Sequence, residues 1–122
     1  MIVCVVDDLI FSIKISTAAK QLGLAMYFER SKANVLQTIR DKQPSLVIFD
    51  LNSGRLAPIE AIVAMKHDPT LRSIRTLGYV AHVDSETIER ARAAGIDQVM
   101  ARSAFSERLG EILTSSSPEP PG

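Results

Sequence analysis

Ile2-Val3-Cys4-Val5-Val6-Asp7-Asp8 and Leu46-Val47-Ile48-Phe49-Asp50 share one design, a short unbroken apolar run that ends in carboxylates. Runs of this length, rich in β-branched residues, read as parallel strands buried on both faces. In an open α/β sheet ligands bind outside the carboxyl ends of the strands. Asp7, Asp8 and Asp50 are therefore expected together at the functional edge. Read alone, Asp8 suits a helix cap or a turn. Read together, the three acids form a site whose like charges raise one another's pKa unless something neutralises them. A hard divalent cation such as Mg2+, which takes oxygen ligands, would do so.

The rest of the chain alternates in the same way. Phe11, Ile15, Ala18, Ala19 and Leu22 have helical spacing, closed by Gly23. Leu24 to Glu29 reads as a short strand. Ser31 is placed to cap a helix from Lys32 to Lys42, stopped by Pro44. After Asp50 comes a loop, Leu51 to Ala57, and then a helix begun by Pro58 and ended by Asp68-Pro69. Ile74 to Val80 is the fourth strand, Ser85 to Ala94 a charged helix closed by Gly95, and Asp97 to Ala101 the fifth strand. A last helix is expected from Ser103 or Ser106 to Leu113. Alternating strands and helices imply a parallel sheet covered on both faces, and right-handed crossovers restrict the topology. The expectation is an α/β domain over 1–113: a five-stranded parallel sheet in the flavodoxin-like doubly wound order 2-1-3-4-5, with five helices. The Ser/Pro-rich segment 114–122 reads as a disordered tail.

Composition narrows the function classes. The chain has 122 residues, 46% of them hydrophobic, enough for one domain core. Lys plus Arg equals Asp plus Glu at 14 each, so no bulk positive field exists to drive nucleic-acid binding. No stretch reaches membrane-span length, and the N-terminus lacks the features of a signal peptide. A cytoplasmic location without membrane association is the default expectation. The single Cys4 lies in the first apolar run and reads as a small buried hydrophobe. His67 and His82 are isolated and read as solvated.

Over Met1 to about Leu113 the chain resembles a response-regulator receiver domain. Val5-Val6-Asp7-Asp8 is similar to that family's acidic pair, and Asp50 falls at its phosphoryl acceptor. Asn52 stands where the family uses a backbone carbonyl as a metal ligand, and Ala94-Gly95-Ile96 resembles the segment leading into its fifth strand. The resemblance implies that Asp50 takes a phosphoryl group from a histidine kinase, a phosphotransfer protein or a small phosphodonor. It implies that Asp8 and Asp50 ligate Mg2+, with Asp7 holding it through water. Phosphoryl transfer of this kind depends on charge neutralisation and in-line positioning. Three positions depart from the family. Val80, followed by Ala81, replaces a hydroxyl residue and cannot donate a hydrogen bond. Arg102, followed by Ser103, replaces a Lys-Pro pair and differs from Lys in bulk and shape. Val99 replaces an aromatic switch residue.

The leading expectation is thus an atypical stand-alone receiver in phosphorelay signalling, a non-enzyme whose output is protein contact through the face from Thr87 to Leu113. The alternative is a pseudo-receiver, a constitutive interaction module that ignores phosphate, as Val80 and Val99 suggest. A small enzyme is a third class. A haloacid-dehalogenase-like phosphatase also uses a strand-end Asp but needs a second Asp where Asn52 stands. No P-loop, Gly-x-Gly-x-x-Gly or nucleophile elbow is present.

Overall fold

The computed structural model describes residues 1–81 and 84–115. The expectations for His82 and for residues 116–122 lie outside the described residues.

The apolar runs form the strands. They are β1 (Ile2–Val5), β2 (Met26–Phe28), β3 (Leu46–Asp50), β4 (Arg75–Val80) and β5 (Gln98–Ala101). They make one parallel sheet in the order β2-β1-β3-β4-β5, the order that the alternation implies. Among the described residues six α-helices cover it: α1 (Leu9–Gln21), α2 (Val35–Lys42), α3 (Pro58–His67), α4 (Ser85–Ala94), α5 (Arg102–Glu107) and α6 (Leu109–Ser115).

Side chains alternate across the sheet and split the core in two. Val3, Val5, Val47, Phe49 and Val80 face α2, α3 and α4, where Ile39, Ile62, Met65 and Ala91 are buried. Ile2, Cys4, Ile48, Leu77, Tyr79 and Met100 face the other helices, meeting Phe11, Ile15, Phe105 and Leu113. Cys4 is fully buried, as expected, and burial raises its thiol pKa far above the ordinary value, keeping it protonated.

Four local expectations change. α1 begins two residues earlier than its apolar spacing suggests, because Asp8 caps it by accepting from the Phe11 N–H at 3.0 Å. Ser31 makes no side-chain cap; its N–H donates to Glu29 at 3.1 Å, and a 3-10 turn (Lys32–Asn34) precedes α2. The buried Glu29 also accepts from Thr38 Oγ1, so this loop is held by a carboxylate and not by a hydroxyl cap. The single last helix is two segments broken at Arg108. Its N–H still reaches Ala104 O at 3.0 Å and Ile112 N–H reaches Arg108 O at 2.9 Å, a kink that keeps Phe105, Leu109 and Leu113 on one face. Thr114 and Ser115, placed in the tail by composition, close α6. Ser115 Oγ donates to Ile112 O and lies 3.2 Å from Arg75 Nη1.

Gly78 positions the loop after β3. A Cβ there would lie 2.7 Å from the Leu51 side chain and 2.9 Å from Ile96. Without it, Leu51 folds over β4 and donates its N–H to Tyr79 O at 3.0 Å, which fixes the chain just beyond Asp50. Gly78→Ala should therefore cost about 1–3 kcal/mol through overpacking, read by chemical denaturation. Unchanged stability would mean that Leu51 gives way freely.

Candidate functional site

Parallel order makes β1 and β3 neighbours, with Val5 opposite Phe49. Their carboxyl ends therefore share one crevice, the switch point where ligands bind in such sheets. Asp50 is the last residue of β3, Asp7 follows β1 and Asp8 caps α1. The acids meet two arginines at this edge. Arg55, in a 3-10 turn (Gly54–Leu56), forks onto Asp7 with Nε at 2.9 Å and Nη2 at 2.6 Å. Arg102, the first residue of α5, places Nη2 2.8 Å from Asp8 Oδ2. Its guanidinium lies over the Phe11 ring, 4.5 Å from the centroid, a cation–π contact that fixes its direction.

Asp50 is held differently. Its Oδ1 accepts the Asn52 N–H at 3.0 Å. Among the described residues, no group hydrogen-bonds its Oδ2. Asn52 then turns its side chain across the crevice, where Oδ1 accepts the Ala81 N–H at 2.6 Å and ties the β3 loop to the end of β4. The Asn52 carbonyl accepts from Gly54 N–H at 3.0 Å.

Two carboxylates in one crevice are thereby driven apart. The Phe11 N–H, with help from Arg102, holds Asp8 below its ordinary value despite some desolvation. Burial raises Asp50, assisted by the charges of Asp8 and Asp7 and opposed by the Asn52 N–H and Arg102. Asp50 is thus the more basic acid, with one oxygen uncommitted, the character wanted in a nucleophile.

The carboxylates have the right chemistry for a hard cation. Yet both oxygens of Asp7 and both of Asp8 are already engaged. Among the described residues, no three His, Cys, Asp or Glu side chains converge so as to hold a metal ion. Of the remaining expected positions, Val80 is 2% exposed and belongs to the core, and Val99 packs against the same cluster. Neither presents a polar group. His67 is exposed, with Nδ1 2.8 Å from Val63 O.

Sequence reasoning missed three residues. Arg55 carried no motif; its one signal is a cation in the loop that starts at Asp50. The side chain of Asn52 was overlooked in favour of its carbonyl. Tyr79 stacks on Phe105 at 4.9 Å and meets Phe11 edge-on at 4.8 Å, beneath Arg102. Its hydroxyl is buried without a partner among the described residues.

Tyr79→Phe should leave stability unchanged or raise it by up to about 1 kcal/mol, because an unpaired buried hydroxyl is removed; a clear loss in thermal denaturation would reveal a partner. The carboxylates should behave oppositely with pH. Asp50, raised in the folded state, disfavours folding when ionised, so Asp50→Asn should be more stable than wild type at neutral pH. That advantage should fade as pH falls towards the ordinary value of 3.8. Asp8→Asn should be less stable at neutral pH, and its deficit should vanish as pH drops through the depressed folded value. Denaturation midpoints across this range check both signs.

The fold has close counterparts of known structure. A response regulator from Hahella chejuensis superposes with a TM-score of 0.83 at 16% identity, covering 94% of this chain and 92% of that one. The phosphorylated cyanobacterial phytochrome response regulator RcpA gives 0.78 at 20% identity, over 93% and 88% of the two chains. The Mn2+-bound form of response regulator Rcp1 gives 0.77 at 13% identity, over 99% and 98%. No protein-family model matches the sequence, and no curated protein matches it. At these identities the likeness establishes the receiver fold.

Proposed function

On the premise of a receiver fold with its acidic crevice in place, we propose that this chain is a signalling receiver in which Asp50 accepts a phosphoryl group. The observation that carries the reading is Asp50 itself. It is partly buried at the β1/β3 switch point, with Oδ1 oriented by the Asn52 N–H and Oδ2 left uncommitted. In the proposed step Oδ2 attacks phosphorus, the phosphorus–nitrogen bond of a phosphohistidine breaks, and the imidazole leaves with its electron pair and takes up a proton. The product is an acyl phosphate on Asp50.

This chain's residues orient and neutralise. Asn52 fixes the carboxylate plane, and Arg102 brings a positive charge to the crevice through Asp8. Asp7, Asp8, Asp50 and the Asn52 carbonyl would hold Mg2+ only after the arginines release Asp7 and Asp8, and its charge would then offset that of the phosphoryl oxygens. A protein donor is favoured by the surface beside the crevice. Leu9, Ile10 and Ile13 of α1 are 66%, 81% and 60% exposed, an apolar strip of the kind that marks protein contacts. A histidine kinase or a phosphotransfer protein fits it. Output would pass by protein contact through α4, β5 and the helices that follow, the face from Thr87 to Leu113. Among the described residues no helix is long and apolar enough to cross a membrane.

Three observations favour a second reading. Val80 is core and offers no hydroxyl to a phosphoryl oxygen, Val99 has no ring to rotate, and Arg102 is tied to Asp8. A module that binds its partner whether or not Asp50 is modified accounts for all three.

Incubation with acetyl phosphate and Mg2+, followed by intact-mass measurement, separates the two readings. The expected result is one added phosphate on wild type and none on Asp50→Asn. No addition to wild type, or equal addition to both, would overturn the proposed role of Asp50 and favour the constitutive module.

A further inference from the structure

The acidic crevice carries its own counter-charge, and the source is a residue outside the recognised motifs. Arg55 sits on the loop after β3 and reaches across to the end of β1. Its fork takes both oxygens of Asp7, at 2.6 and 2.9 Å, and Nη2 also donates to Arg30 O at 3.2 Å. One side chain thus links the loops after β1, β2 and β3. Bidentate pairing of this kind is directional and stronger than a simple charge contact. Arg102 pairs with Asp8 from the far side through one contact, Nη2 to Oδ2 at 2.8 Å, and is anchored on Phe11. Two guanidiniums therefore face three carboxylates, and the crevice is nearly balanced before any cation arrives.

We infer that Arg55 and Arg102 are the resident counter-cations of this site, and that Arg55 competes with divalent metal for Asp7, so that Arg55 sets the metal affinity. The inference rests on the receiver reading, which supplies the expectation of a divalent cation. The two arginines are not equivalent. Arg102 is packed on an aromatic ring and is about one-third exposed, whereas the Arg55 side chain is 65% exposed on a surface turn. Arg55 is the one that can swing into solvent and release its carboxylate. Metal binding is then an exchange: the cation gains Asp7 as Arg55 loses it. The site stays folded and charge-balanced without metal, and divalent cations bind it weakly.

The test is a titration with Mg2+ alone, followed by amide NMR shifts of Asp7, Asp8 and Asp50. It compares wild type, Arg55→Ala and Arg40→Ala. Arg40 pairs with Asp68 at 3.2 Å, away from the crevice, so its removal changes net charge equally without touching the site. Arg55 is exposed, so its removal takes nothing from the core. Removing the cation that competes for Asp7 should tighten Mg2+ binding about tenfold in Arg55→Ala, with Arg40→Ala unchanged. Equal affinity in wild type and Arg55→Ala, or the same gain in Arg40→Ala, would overturn the inference. Beryllofluoride, a phosphoryl mimic, added to the same samples keeps the two readings apart. A tenfold Mg2+ gain with no beryllofluoride response in any sample would refute the receiver reading and leave the role of Arg55 supported. A beryllofluoride response with no Mg2+ gain would refute the role of Arg55 and leave the receiver reading supported.

Discussion

Three carboxylates at one sheet edge repel one another, and the way this repulsion is met organises the functional end of the molecule. Parallel pairing of β1 with β3 forces the meeting, because both strands end at the same edge. Two arginines answer it, from the loop after β3 and from the start of α5. Each ion pair also fastens a loop. Arg55 gathers the segments after β1, β2 and β3, and Arg102 joins the start of α5 to the start of α1. Exposed ion pairs contribute little to stability singly. Here they act at the mouth of a crevice where the alternative is uncompensated negative charge.

Beneath the pairs lies an aromatic support. Phe11, Tyr79 and Phe105 come from α1, β4 and α5 and meet within 6 Å of one another, centroid to centroid. Arg102 rests on Phe11, so the cation's position is set by the packing of the second core. Val80 on β4 and Val99 on β5 present only apolar surface, packed with the first core. Connected to the acids are α1 and α5, through Arg102, the loops after β2 and β3, through Arg55, and the β4 end, through Asn52 and the Ala81 N–H.

Chemically identical side chains acquire different characters from their surroundings. Asp8 receives a helix N–H and a guanidinium and is held ionised. Asp50 is more deeply placed, receives one amide N–H and becomes the more basic of the two. Separation of this kind between neighbouring acids is how a fold assigns them distinct roles. It leaves Asp50 as the more basic acid with one oxygen uncommitted and Asp8 as a fixed charge at the head of α1.

Much of this was legible in the sequence because it depends on local pattern. Unbroken apolar runs rich in β-branched residues read as doubly buried strands, and alternation with helices leaves few topologies, so the strand order and the gathering of Asp7, Asp8 and Asp50 followed. The resemblance placed Val80, Val99 and Arg102 by spacing alone. Local pattern failed where long-range partners decide. Ser31 has the look of a cap, but the buried Glu29 claims its N–H. The last helix breaks at Arg108, and Thr114 and Ser115 are drawn into α6, because the final turns must follow the core and reach Arg75. Arg55 lies 48 residues from Asp7, and no periodicity announces such a pairing. The sequence by itself determined which strands form and that three acids share one edge, since burial and chain direction fix both. Only the tertiary structure decided which cations meet those acids and which oxygen of Asp50 stays uncommitted, because such pairings depend on the three-dimensional approach of distant loops.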